Sequence, residues 1–498
     1  MTYQMQDISF LLILLPLLSL FFFFCTLLKP NLNLPPGPRP WPVVGNLLQL
    51  GKHPHASLAQ MARAHGPLIS LRLGTQLLVV ASSPSTAAQV LKTHDRVLSA
   101  RYIPHTYRVK TYIEHSLAFS FDCNEQWKRM RTVCKTELFT TRMLDAQAHM
   151  RERKVGELMG LLLSNRGRVV QLGKFVFGTV FNIMSNVVFS RDAFDLVDQE
   201  ENKASRLKFG VSRALELGLV PNLADYYPSL ARLDVQGLNR ETASFLERIY
   251  YVWELFIRKR REEEEEEEGD NRKHDFLSVL FSAGCSDLQL KALISDMFTA
   301  GTDTSTSVVD WTMSELMRNS KLMQKVKDEL KQVVGERIEG EYAVRESHLS
   351  HLHYLQACIK ESLRLHPPAP LLLPRQALEA CEVMNYTIPK DCRVMVNVWA
   401  IGRDPNVWKD PLTFSPERFL NSSVDYKGND FELAPFGAGR RMCPGLPLAS
   451  RVSKLILASL IHTFDWLLPD GIQPSQLNMN ERFGLTLDRE QPLLLVPK

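Results

Sequence analysis

Cysteine is scarce and scattered in this sequence: eight among 498 residues, with no C-x-x-C pair and no dense framework. That pattern excludes a disulfide-stapled secreted domain and suits a reducing, cytosol-facing compartment. No internal repeat is present, and no finger, basic zipper or aromatic–basic repeat accompanies the basic charge, so nucleic acid is not an expected partner. Charge of either sign is missing from Ile8 to Leu28, a run of 21 residues. As a helix it would span ~31 Å, about the thickness of a bilayer core. A cleaved signal peptide would have a shorter apolar run followed by small residues. Here Phe21 to Phe24 and Leu27-Leu28 lead straight into Lys29. No Lys or Arg precedes the segment while Lys29 and Arg39 follow it, which keeps the remainder cytosolic by the positive-inside rule. Residues 1–29 are expected to be a single-pass membrane anchor.

What is present suits one large globule. Forty-five per cent hydrophobic and 23% charged residues can build a sizeable core. The net charge of +4 hides an acidic run, Glu262 to Glu268. Without those seven, 48 acids face 59 bases and the rest of the chain is +11, which favours an acidic protein partner or an anionic membrane surface. Five prolines in Leu34 to Pro42 exclude helix and central strand, so residues 30–42 are expected to form a stiff spacer between anchor and globule. Leu68 to Ala81 alternates around Gly74-Thr75 and predicts a hairpin. Asp287 to Asn319 predicts one very long helix, and Tyr354 to His366 another, stopped by Pro367-Pro368. Arg393 to Val398 and Gly484 to Leu487 read as β-like pieces, and Arg258 to Glu268 as a solvated linker. The expected fold is mainly α with a small β portion.

Four separated segments carry the residue types that a buried haem needs. In Phe436 to Gly445 the glycines allow a tight loop close to a flat cofactor. Cys443 would sit where backbone amides and a helix amino end stabilise a thiolate, a ligand that favours O–O cleavage at iron. Arg441 could pair with a haem propionate. Read alone, this is also a glycine-rich turn with a buried cysteine. Ala300-Gly301-Thr302-Asp303-Thr304-Ser305 lies within the long helix, where Gly301 costs ~1 kcal/mol relative to alanine. That cost is reasonable if the missing side chain leaves room for dioxygen. Asp303 and Thr304 could then relay protons as general acids. Glu361 and Arg364 share a helical face, and Trp127 and Arg131 stand four apart.

The loop at Cys443 resembles the haem-binding loop of cytochromes P450, Phe-x-x-Gly-x-Arg-x-Cys-x-Gly, at every defined position, and the resemblance runs from residue 35 to 498. It implies a single catalytic domain over residues 43–498, holding haem b between the central helix and the Cys443 loop. Trp127, Arg131, Arg375 and Arg441 would reach the propionates, Phe436 would flank the haem, and Glu361, Arg364 and Arg418 would form a structural network. Electrons would come from the NADPH–cytochrome P450 reductase, docking near Lys128 and Arg129, with the catalytic domain on the cytosolic side of the endoplasmic reticulum. The substrate pocket would draw on Tyr102, Phe119, Phe121, Phe298, Ala300, Leu371, Leu373 and Phe483.

Lys92 to Arg96, Leu98 to Tyr102, Thr136 to Thr140 and Asn385 to Cys392 are similar to the plant P450s of benzylisoquinoline and tropane alkaloid metabolism. This implies a monooxygenase acting on an alkaloid. Phenol coupling, skeletal rearrangement and monoterpenoid hydroxylation are the competing chemistries, and a haem sensor without turnover would not need Asp303 and Thr304.

Overall fold

The computed structural model describes residues 32–193, 217, 220–266, 275–337 and 343–498. The expected anchor and the end of the acidic run lie outside the described residues. Helix predominates, as expected. The long helices are α1 (Pro54–His65), α2 (Glu125–Val133), α3 (Ala148–Leu163), α4 (Leu172–Phe189), α5 (Leu238–Glu266), α6 (Asp287–Arg318), α7 (Ser320–Val334), α8 (His353–Leu365) and α9 (Leu446–Thr463).

Helix α6 runs through the middle of the largest core and packs against α4, α8 and α9. Its start is fixed by a capping box: Ser286 Oγ accepts from the Gln289 amide, and the Gln289 side chain accepts from the Ser286 amide at 2.8 Å. Leu290, Leu293, Ile294, Val309 and Leu316 are buried along it. Helix α4 is long and apolar enough to cross a membrane, but most of it is buried inside the protein. It is apolar all round because neighbours cover it on every side.

The stretch from Arg258 was expected to be a solvated linker, and the structure corrects this: α5 continues to Glu266. Buried Leu246, Ile249, Trp253 and Ile257 recur at helical spacing and carry the helix into the charged run. Arg260 within that run is fully buried, and its Nε donates to Asp275 Oδ2 at 2.7 Å. One internal acid thus holds a residue that composition alone assigns to solvent.

The predicted hairpin is β1 (Leu68–Leu73) and β2 (Gln76–Ala81), paired Leu68↔Ala81 to Leu73↔Gln76, with Gly74 at φ 59 in the turn. With β3 (Ala100–Arg101), β4 (Arg375–Gln376) and β5 (Arg393–Val396) they form a five-stranded sheet ordered β1-β2-β5-β4-β3. The expected strand at Gly484 to Leu487 is instead the turn between β6 (Glu481–Arg482) and β7 (Asp488–Arg489). The proline-rich segment is bonded to the sheet, not a free spacer. The Ser70 amide donates to the Pro36 carbonyl at 2.9 Å and Ser70 Oγ to that of Pro35 at 2.6 Å. A Cβ on Gly37 would stand 1.9 Å from the Ser70 oxygen, so only glycine allows this approach.

The acidic–basic network on α8 forms as anticipated. Arg364 Nε and Nη2 each donate to Glu361 at 2.7 Å, both residues fully buried, and Arg418 Nε donates to Glu361 Oε1 at 3.0 Å. Arg364 also donates to the Gly402 and Pro411 carbonyls. This locks α8 to the segment that leads toward Cys443.

Candidate active site

The Cys443 loop is shaped by two glycines in the left-handed region, Gly437 at φ 68 and Gly439 at φ 69. A Cβ on Gly439 would meet the Leu91 carbonyl oxygen at 2.2 Å, so a side chain there would push the loop off its neighbour. The Cys443 amide closes the loop on the Phe436 carbonyl at 3.0 Å. Burial pushes the thiol up, and the Gly445 and Leu446 amides at the start of α9 and the charge of Arg131 offset only part of that rise, so the bare thiol stays above its ordinary value. Cys443 nevertheless carries exposed surface. Donor-rich, accessible and set at a helix amino end, it is suited to bind a metal as a thiolate.

The central helix presents a bare face. Ala300 is exposed although most of α6 around it is buried, and Thr304, one turn on, is half-buried. Thr304 Oγ1 donates to the Ala300 carbonyl at 2.6 Å. Asp303 stands next to it. Gly301 has a different role from the one expected. A Cβ there would meet Met184 Cε at 3.1 Å and Sδ at 3.3 Å, so the absent side chain admits α4, and it is Ala300 and Thr304 that face open space.

Four arginines converge beside the Cys443 loop. Arg441 donates to the carbonyls of Ser99 (3.0 Å) and Ser120 (2.7 Å). Arg375 pairs with Asp95 at 3.2 Å and donates to the Ala438 carbonyl. Arg131 donates to the Met442 carbonyl. The fourth, Arg101, was not anticipated; its Nε donates to the Ala118 carbonyl and its Nη1 to that of Leu373, each at 3.0 Å. Burial, then the charges of Arg441 and Arg375, hold Arg101 well below the usual guanidinium range, and burial brings Arg441 down to about 10. Among the described residues only Asp95 forms an ion pair with any of the four. A cluster of buried cations this poor in counter-charge calls for an anionic group. The two propionates of haem b would supply it, and the thiol of Cys443 would supply the iron ligand; the residues present fit that cofactor.

Trp127 reaches this cradle indirectly. Its Nε1 donates to the Leu117 carbonyl at 3.0 Å and its ring lies under Arg441. The loop that both touch is held by Asp296 of α6, which accepts from Tyr112 Oη (2.6 Å), Ser116 Oγ (2.8 Å) and the amides of Leu117 (2.6 Å) and Ala118 (3.2 Å). Burial raises this carboxyl against the pull of those donors. Asp296 was also missed by sequence reasoning; the available signal was an acid on an apolar helix between Ile294 and Met297.

The expected pocket residues divide. Tyr102 donates to Asp225 Oδ1 at 3.2 Å and lies under the Arg393 guanidinium. The Phe119 ring centroid is 4.9 Å from that of Tyr107. Leu371 and Phe483 pack with the β1–β2 layer, Phe483 stacking on His55. The carbonyls of Phe121 and Leu373 accept from Arg441 and Arg101, so their backbones belong to the arginine cradle. Phe298 is a correction: it is fully buried and enclosed by Phe181, Phe189 and Trp253, in the core on a face of α6 other than that of Ala300.

A family model described as Cytochrome P450 matches residues 35–496. The chain is 51% identical to a probable (S)-N-methylcoclaurine 3'-hydroxylase isozyme 2 of Coptis japonica over 479 residues, 96% of each chain. It is 47% identical to corytuberine synthase of Coptis japonica, covering 95% of this chain and 96% of that one. It is 40% identical to berbamunine synthase of Berberis stolonifera, covering 97% of each. With a cysteine loop, a helix face and an arginine cradle suited to one cofactor, and with these relatives along its length, the chain belongs to the cytochrome P450 family of haem-thiolate monooxygenases, which draw electrons from NADPH through a reductase.

Proposed function

We propose that the protein inserts oxygen into a plant alkaloid, a cyclic amine of the benzylisoquinoline type, with Cys443 as the iron ligand and Asp303 and Thr304 handling the proton. The observation that carries the substrate class is the 51% identity, over 96% of both chains, to a relative named for N-methylcoclaurine hydroxylation. Bound haem supplies the oxygen-activating redox chemistry. The chain's own residues supply orientation and protons. Thr304 Oγ1 rests its hydrogen on the Ala300 carbonyl. Turning that hydrogen toward the open face lets the hydroxyl donate, and the Asp303 carboxyl beside it can replace the proton.

Residues 1–29 anchor the enzyme in the endoplasmic reticulum membrane with the catalytic domain in the cytosol. An exposed apolar surface supports lipid contact: Trp41, Val43 and Leu48 on one segment, Leu223, Leu230, Leu233 and Val235 on another, joined where Tyr227 Oη donates to the Val43 carbonyl at 3.1 Å. The reductase docks near Lys128 and Arg129. Lys128 is exposed and paired with Glu125 at 2.6 Å, and Arg129 donates to the Ala283 carbonyl, so two bases against one acid leave α2 positive beside the Arg131 cradle.

The test is turnover of N-methylcoclaurine, other benzylisoquinolines and monoterpenols by microsomes holding this protein and a reductase, with products identified by mass. A product heavier by one oxygen from the benzylisoquinolines supports the reading. Coupled or hydrogen-depleted products would move it to oxidase chemistry, and turnover of the monoterpenols alone would overturn the substrate class.

A further inference from the structure

Glu481 stands at the start of the C-terminal hairpin and takes donors from three other parts of the chain. Its Oε1 accepts from Arg403 Nη2 at 2.8 Å and faces His366 Nδ1 at 3.1 Å. Its Oε2 accepts from Trp399 Nε1 at 2.9 Å and faces His55 Nε2 at 3.2 Å. These partners come from α1, from the end of α8 and from the segment after β5. Burial alone would raise this carboxyl, but the bonds from His366 and His55 and the charge of Arg403 hold it well below the usual carboxylate range. The His366 ring is stacked on Trp311 of α6, centroids 3.9 Å apart, and its Nε2 faces Glu315 of α6 at 2.9 Å. One ionised side chain therefore ties the hairpin to the central helix through a buried polar chain.

The far end of the turn, just before β7, is tied to the same helix. The Leu487 carbonyl accepts from Ser307 Oγ at 3.0 Å and Trp311 Nε1 at 2.8 Å, and its amide donates to the Pro368 carbonyl at 2.8 Å. Ser307 is three residues beyond Thr304, so the turn meets α6 within one helical turn of the open face. Between these ties residues 483–486 form no ladder, and only side-chain packing, such as Phe483 on His55 and Leu485 on the main core, adds to what the ties fix.

We propose that Glu481 is a specificity-determining positioning residue: by gathering donors on both carboxylate oxygens it fixes where the turn Phe483–Thr486 stands on the central helix, within one helical turn of the open face of Ala300 and Thr304, and so which atom of the substrate lies nearest the reacting centre. This rests on the reading of that face as the substrate site, but not on the substrate's identity.

The experiment compares Glu481→Gln with the wild-type holoenzyme in three readouts. Amide hydrogen exchange at residues 483–487, without substrate, is expected to quicken about ten-fold, the loss of one charge-assisted bond. The ferric spectral titration should show about ten-fold weaker binding of N-methylcoclaurine, or of geraniol if only monoterpenols are turned over. The ratio of positional products should change while the reduced carbon monoxide spectrum keeps its thiolate form. Trp399→Phe removes a single donor and should shift all three readouts the same way by less, which decides the matter if Glu481→Gln fails to fold. Faster exchange with wild-type affinity and product ratio, or no change in exchange, would overturn the proposal. A wild-type protein that turns over no amine and no terpenol would instead sink the substrate reading and leave the exchange result standing.

Discussion

The Arg441 guanidinium stands 4.6 Å over the Trp127 ring, and both side chains donate to one acceptor, the carbonyl of Leu117. The amide of that same Leu117 donates to Asp296 on the central helix. A single peptide segment thus transmits the position of α6 to the arginine cradle. Asp296→Asn keeps the size but places a donor where only acceptors fit. Each bond lost at this buried carboxylate is worth about 1.5–3 kcal/mol. The variant should unfold at lower denaturant and release haem faster, both followed by absorbance during urea titration.

Arg101 separates two states of the protein. Without haem it adds to a crowd of buried cations; with propionates in the cradle it would have an anion to meet. Arg101→Met should therefore stabilise the haem-free chain while weakening haem retention by about ten-fold, the value of one charge-assisted pair. Thermal unfolding of the apo and holo forms measures both effects, and parallel changes in the two would contradict this role.

Thr304→Ala should keep haem and substrate binding but divert NADPH-derived electrons into released hydrogen peroxide, because the role proposed for the hydroxyl is to move a proton and not to bind substrate. Thr304→Ser should restore coupling. The check is NADPH consumed, peroxide and product measured together.

Asp310 gives a pH prediction. Burial pushes its carboxyl up to about 7, with Arg489 opposing. A carboxyl raised on folding contributes stability that is complete below its unfolded value near 4 and is lost as pH rises through 7. Asp310→Asn should remove that loss, so the variant gains on the wild type between pH 4 and 8. At about 1.4 kcal/mol per pH decade the gain is on the order of a few kcal/mol. Denaturant midpoints at both pH values test it.

The cysteine loop, the Asp303-Thr304 helix and the Glu361–Arg364 pair were legible in the sequence because each packs its chemistry into a few contiguous residues. What escaped depends on which way an element faces. Periodicity places Phe298 on α6, but only the packing of Phe181 and Trp253 shows that its face is core. Gly301 was legible as a gap, and Met184 decides what fills it. Arg101 lies on a two-residue strand whose role appears when the carbonyls of Ala118 and Leu373, distant in sequence, come together around it. The run after Arg258 was misread because charge density was allowed to outweigh the apolar spacing that leads into it.

The most direct test of the central claim is the reduced carbon monoxide difference spectrum of Cys443→Ala beside the wild type, each reconstituted with haem. The wild type should give the thiolate-type band, and the variant should lose it while haem still associates with the arginine cradle. A thiolate-type band surviving in Cys443→Ala would contradict the assignment of Cys443 as the iron ligand.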